Sequence, residues 1–243
     1  MIIVNADDWG RSVWETNAAL NCHTEHRITS VTAMVFMPDS ERAAELALTR
    51  DLNVGLHLNF SQPFEALHQS AALANAQRRV CAFINTNKYA FLIYNPALSR
   101  DFVDSYEAQL EEFVRLYGKQ PSHVDGHHHK HLCANVLLGN VIPPGQKLRR
   151  NFFFWPGEKG RVNRAYRRVT NQFLARKYRV TDYFFALSQC MQSERLDKVL
   201  ALAEVHTVEV MTHPANRVER ECLMSDRYLA QLNQLERGSY ASV

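Results

Sequence analysis

An α/β fold built on a parallel sheet with helical crossovers is what three features of the sequence predict. Short β-branched or apolar runs alternate with segments of helical period, polar clusters stand where the apolar runs end, and 243 residues suit one large domain of the size α/β barrels commonly reach. A composition of 46% hydrophobic and 22% charged residues supplies enough apolar side chain for a real core and excludes a disordered chain.

Residues 2–6 are a short β-branched run and read as a buried strand, stopping at Asp7-Asp8-Trp9-Gly10 with Gly10 as the turn signal. Residues 12–25 read as a helix capped by Ser12, with Val13, Thr16, Asn17 and Leu20 at helical spacing. A strand over 30–37, a helix over 39–49 carrying Ala43, Ala44, Leu46 and Ala47, and a strand over 54–59 continue the alternation. From 61 to 98 no clean period appears, and such a stretch inside a compact domain reads as a substrate loop or lid. Phe102, Tyr106, Leu110, Phe113 and Tyr117 restore the helical period until Gly118 ends it, and 122–125 begin a strand that runs into a histidine cluster. Val162, Tyr166, Val169 and Phe173 predict a helix that buries these four and turns Arg161, Arg164, Arg168 and Arg176 to solvent. A helix over 194–203 precedes a last strand over 205–211. With no repeat and no linker, 1–243 is expected to form a single domain.

The N-terminal residues lack the charged and apolar regions of a signal peptide, and no apolar run approaches a membrane span. The five cysteines are odd in number and never spaced as CxxC, which argues against a disulfide framework or a cysteine zinc site. A cytoplasmic protein with reduced thiols is the expectation. The net charge of +3 is mild but uneven: 147–179 hold eleven Lys/Arg against Glu158 alone. That asymmetry suits a solvated helix face, or an anionic partner such as a phosphorylated sugar carrier or an acidic membrane surface. No nucleic-acid partner is expected.

Four polar clusters stand at strand ends, the face on which parallel α/β folds build their sites. They are Asp7-Asp8, His57, the run from His123 to His131, and His213. Singly, each has a plain structural reading, since paired acids cap helices and a strand histidine is commonly a bonded core residue. Together they point to a divalent ion. Two adjacent carboxylates repel each other unless a cation takes one, leaving the other to act as a base. Alternation along a strand sends neighbouring side chains apart, so Asp7 and Asp8 take different roles. Asp8, His57 and one histidine among His127, His128, His129 and His131 supply three ligands and leave an open position for water or substrate.

Four segments then resemble, in order, the motifs of the YdjC-like carbohydrate deacetylases: Asn5-Ala6-Asp7-Asp8-Trp9-Gly10, Val54-Gly55-Leu56-His57-Leu58-Asn59, Pro121 to His131, and Glu209-Val210-Met211-Thr212-His213-Pro214. Arg237-Gly238-Ser239-Tyr240 adds a fifth familiar stretch. That family includes chitooligosaccharide deacetylases and a branch implicated in hopanoid lipid biosynthesis. The resemblance implies a (β/α) barrel-like fold, distorted or incomplete, and a divalent ion on Asp8, His57 and His127, with magnesium or zinc foremost and manganese, cobalt or nickel also suited. It implies Asp7 as catalytic base and His213 as the acid. The expected reaction is removal of an acetyl group from an N-acetylated sugar or sugar-lipid. Trp9, Arg11, Gly126 and Thr212 depart from the usual Phe, Leu, Ser and Cys, and 61–98 lack the glycines of the substrate loop, so chitooligosaccharide specificity does not carry over. The rival readings are another metal-dependent hydrolase, such as a phosphoesterase using the basic segment, and an inactive sugar- or metal-binding protein.

Overall fold

The computed structural model describes residues 1–66, 69–191 and 193–243, and for Ser193 and Glu194 the backbone alone. Six strands form a sheet in the order β4-β3-β2-β1-β6-β5, where β1 is Ile2–Trp9, β2 Ser30–Ala33, β3 Val54–Leu58, β4 Val124–Gly126, β5 Tyr183–Ala186 and β6 Val208–Thr212. The registered pairs β1–β6, β5–β6 and β3–β4 are all parallel. Six parallel strands with helical crossovers make this an incomplete relative of the eight-stranded (β/α) barrel.

The chain divides into two compact units: Met1–Asp7, Asn17–Val31 and Lys147–Val243 in the first, Asp8–Thr16 and Thr32–Gln146 in the second. In the first unit, β1 and β5 flank β6, with Val4 opposite Val210 and Phe185 also opposite Val210. Buried Ile2, Val4, Phe184, Phe185, Val208 and Val210 give these strands the continuous apolar character of parallel strands covered on both faces. Around them run α6 (Arg161–Lys177), α7 (Leu187–Cys190), α8 (Ser193–Ala203), α9 (Arg217–Met224) and α10 (Asp226–Leu232). The second unit holds β3 and β4 with α2 (Ser40–Leu48), α3 (Ala71–Ile84), α4 (Ser99–Tyr117) and α5 (Ala134–Leu138). The first helix, α1 (Val13–Thr24), is capped as expected, with Ser12 Oγ accepting from Trp14 N at 3.1 Å. Gly118 closes α4 in the left-handed conformation at φ 65°, as a C-cap glycine should.

Several expectations need correction. β1 runs on through Asp7 and Asp8 to Trp9, because Trp9 O still accepts from Met34 N at 2.8 Å. β2 stops at Ala33, short of residue 37. In α1 the buried residues are Thr16, Ala18, Ala19 and Cys22, while Val13 and Asn17 are exposed. The stretch 61–98 contains α3, capped by Ser70 and rich in alanine; buried Gln77, bonded to Asn59 O and Gln62 O at 2.8 Å, hides its apolar period. Leu67 and His68 of that stretch lie outside the described residues.

In α6 Arg161, Arg168 and Arg176 are exposed as expected, but the buried face is not the expected apolar stripe. Thr170, Asn171 and Leu174 are buried, whereas Val162 is 84% and Val169 64% exposed. Asn171 explains the difference: its amide accepts from Asn151 N at 2.9 Å and donates to Asn151 O at 3.2 Å, so polar side chains satisfy backbone and take the inner face. Val205, expected in the last strand, is 76% exposed and precedes β6. Among the described residues no helix is long and apolar enough to cross a membrane. All five cysteines are free thiols; burial pushes Cys22 and Cys81 up to about 11, so they are poor nucleophiles at neutral pH.

Candidate metal centre

In the second unit the register of two short strands builds the core of a site. β3 and β4 pair so that His57 stands opposite Asp125, and His57 Nδ1 lies 2.7 Å from Asp125 Oδ1. Thr32 Oγ1 donates to Asp125 Oδ2 at 3.1 Å and steadies that carboxylate. With Nδ1 occupied, the other ring nitrogen, Nε2, faces Asp8 Oδ1 at 3.4 Å. A carboxylate behind an imidazole in this way fixes its tautomer and raises its basicity.

Asp8 adopts φ 66°, a left-handed conformation that Asp tolerates better than most residues, and its carbonyl accepts from Arg11 N at 3.1 Å to close the turn. His127 opens the histidine run just after β4, and its Nδ1 lies 2.9 Å from Asp8 Oδ1. His128 and His129 follow with φ 52° and 56°, so the run turns sharply. His128 packs on the His127 ring at 3.9 Å between centroids and meets Ser61 Oγ at 3.1 Å through its Nδ1. Two glycines make room: a Cβ on Gly55 would lie 2.5 Å from the His123 ring, and one on Gly126 2.9 Å from His131 N.

Asp8, His57 and His127 thus offer one ligand atom each within 4.8 Å of one another, all three residues buried. His127 Nε2 is buried without a hydrogen bond, a costly state for an acceptor that a cation would relieve, and Asp8 Oδ1 has the two imidazole rings as its polar neighbours. Burial pushes the Asp8 pKa upward, but hydrogen-bonding contact with the His127 and His57 rings outweighs it and holds the carboxyl well below the usual range. Burial lowers the His127 pKa and that of His128, the latter to about 4, so both rings are neutral at neutral pH. An anionic oxygen and neutral imidazoles are the protonation states a divalent ion requires. The donor set fits such an ion.

Asp7 and His213 belong to the first unit. Arg149, fully buried, grips Asp7 with both Nη atoms at 2.7 Å and donates from Nε to Glu209 Oε1 at 2.8 Å. Asn5 Nδ2 donates to Asp7 Oδ1 at 2.9 Å, and Tyr240 Oη to Glu209 Oε2 at 2.5 Å. His213 stands beside Glu219, which accepts from His213 N at 2.7 Å and from Thr212 Oγ1 at 3.0 Å. The His213 side chain is 37% exposed, open to a ligand from solvent. Arg149, Asn5, Glu209 and Tyr240 were not singled out from the sequence. Arg149 was lost in the basic run, yet Glu209 between Val208 and Val210 was a signal, because a carboxylate inside an apolar strand demands a partner.

Comparison with known proteins places these observations in a family. The chain is 29% identical to a carbohydrate deacetylase of Vibrio parahaemolyticus, with 95% of this chain and 84% of that protein covered. It is 26% identical to a chitooligosaccharide deacetylase of Proteus mirabilis, with 97% and 89% covered. The fold is shared with a crystal structure of an Enterococcus faecalis protein named for cellobiose-phosphate cleavage, at a TM-score of 0.65 and 18% identity over 99% of this chain and 97% of that one. Residues 1–237 match the family of YdjC-like proteins, and the chain belongs to that family.

Proposed function

We propose that the chain is a metal-dependent deacetylase that hydrolyses the acetamide of an N-acetylated sugar to acetate and a free amino sugar. The convergence of buried Asp8, His57 and His127, one ligand atom from each within 4.8 Å of the others, carries the reading. The activities named for the relatives above support its choice of substrate class.

Asp8, His57 and His127 would hold the ion. Such an ion supplies Lewis acidity, polarising the acetamide carbonyl and acidifying water from a pKa of about 15.7 towards about 7 in favourable zinc sites. Asp7 takes the proton of the attacking water on its carboxylate, and the Arg149 fork keeps that carboxylate in one orientation. His213 delivers a proton to the departing nitrogen, since an amine leaves poorly unless protonated. Glu219, holding the His213 backbone N–H, keeps that residue in place. Asp125 orients His57 through Nδ1.

An acetate-release assay tests the proposal, across N-acetylated mono-, oligo- and lipid-linked sugars with magnesium, zinc, manganese, cobalt and nickel in turn. Folded, metal-replete protein that releases acetate from none of them would overturn it. Phosphate release from sugar phosphates instead would favour the phosphoesterase reading.

A further inference from the structure

Arg150, Arg164, Arg167 and Arg168 line one cavity of about 480 Å³ in the first unit, and among the described residues Asp182 is the one acid that lines it with them. The hydrogen bonds that orient these arginines end on neutral oxygens. Arg150 Nη1 donates to Thr181 O at 2.8 Å and Asp182 O at 2.6 Å. Arg167 donates from Nε to Asn163 Oδ1 at 2.8 Å and from Nη1 to Asn151 Oδ1 at 2.5 Å, and Arg164 Nε to Lys159 O at 3.2 Å. Such bonds fix a guanidinium without cancelling its charge. The Asp182 carboxylate is committed elsewhere, accepting from Thr207 N at 2.9 Å and lying 3.8 Å from His206 Nδ1. Burial lowers the pKa of Arg167, and that of Arg150 in spite of the opposing charge of Asp182, as expected for cations partly withdrawn from water.

The rest of the cavity is aromatic. Phe152, Phe153 and Tyr183 line it, and Arg167 lies over the Phe152 ring at 5.5 Å. A volume of this size accommodates a small organic ligand rather than a lone inorganic ion. Planar guanidinium forks in this number outmatch a carboxylate, which one fork satisfies, and suit a phosphate with three terminal oxygens and up to two charges.

We propose that this cavity binds an organic phosphate, its phosphate among Arg150, Arg164, Arg167 and Arg168 and its carbon skeleton against Phe152, Phe153 and Tyr183. Neither the proposed metal ligands nor His213 lines the cavity. Its occupancy is read without turnover, so its failure leaves the deacetylase reading standing.

Two soluble probes, pyrophosphate and uridine diphosphate, are titrated calorimetrically into the full chain at low ionic strength. Vesicles of phosphatidylcholine with phosphatidic acid are co-sedimented with it in parallel. Binding of uridine diphosphate identifies a soluble ligand and binding of vesicles alone a lipid headgroup, and either supports the proposal. Arg164→Gln with Arg168→Gln should weaken binding by about tenfold or more, the value of a charge-assisted bond or two. Arg161→Gln with Arg176→Gln removes the same charge from α6 outside the cavity and should change binding by less than about threefold at moderate salt. No binding of any probe, or equal losses in the two double variants, would overturn the proposal. Uridine diphosphate binding no tighter than pyrophosphate would overturn the role given to the aromatic wall.

Discussion

A guanidinium fork surrounds Asp7 and two imidazoles crowd Asp8, so neighbours in the chain meet opposite chemistry. Asp7→Asn is expected to retain the ion and lose about 10² to 10⁴ in kcat, the usual worth of a general base. Asp8→Asn, His57→Ala and His127→Ala are expected to lose the ion itself, which elemental analysis after desalting reads directly; full occupancy in all three would remove them as ligands. Arg149 connects Asp7 to the fold. Its replacement by Leu leaves Asp7 and Glu209 as uncompensated buried charges and should cost about 3–5 kcal/mol in urea unfolding. Arg149→Lys keeps a charge without the fork; folded protein with lowered kcat and unchanged metal content is the expected outcome. The sequence made the acids and histidines legible because no apolar core explains them at strand ends. The clamp was illegible because Arg149 lies 142 residues from Asp7, and nothing local distinguishes it from Arg150.

Helix α6 shows how periodicity identifies an element without identifying its inner face. Val162, Tyr166, Val169 and Phe173 did mark a helix, yet Thr170, Asn171 and Leu174 face inward. The prediction that separates the two faces is energetic. Val169→Ser should shift stability by less than about 0.5 kcal/mol, as exposed substitutions do. Leu174→Ala should cost about 2–5 kcal/mol for the cavity it opens. Equal costs in chemical denaturation would return the helix to the orientation its apolar spacing suggests. α4 is the contrasting case, where Phe102, Tyr106, Phe113 and Tyr117 are buried as their spacing predicts. Both helices turn a buried amide to backbone, Gln109 of α4 to Asn59 and Asn171 of α6 to Asn151, a demand no apolar pattern records; only α4 keeps its apolar stripe on the same face.

At the scale of the whole molecule, the alternation of strand and helix and the order of the motifs were readable, because each depends on short stretches of chain. β5 and α3 were not, because they depend on distant partners. Ion binding should couple to global stability, since only the folded chain brings Asp8, His57 and His127 together. At an ion concentration a hundredfold above its Kd the gain is about 2.7 kcal/mol. For a chain of this size that corresponds to a melting temperature lowered by about 5–10 °C on chelation. An unchanged melt after complete removal of the ion would show that the three residues fold without it. The division into units has a further consequence. Each is assembled from separated pieces of chain, and the chain passes from one to the other at four places, the first between Asp7 and Asp8. No single cut in a gene could therefore excise, duplicate or exchange either one. A fragment of 147–243 would leave Arg149 without Asp7 and β6 without β1, and should show no cooperative unfolding.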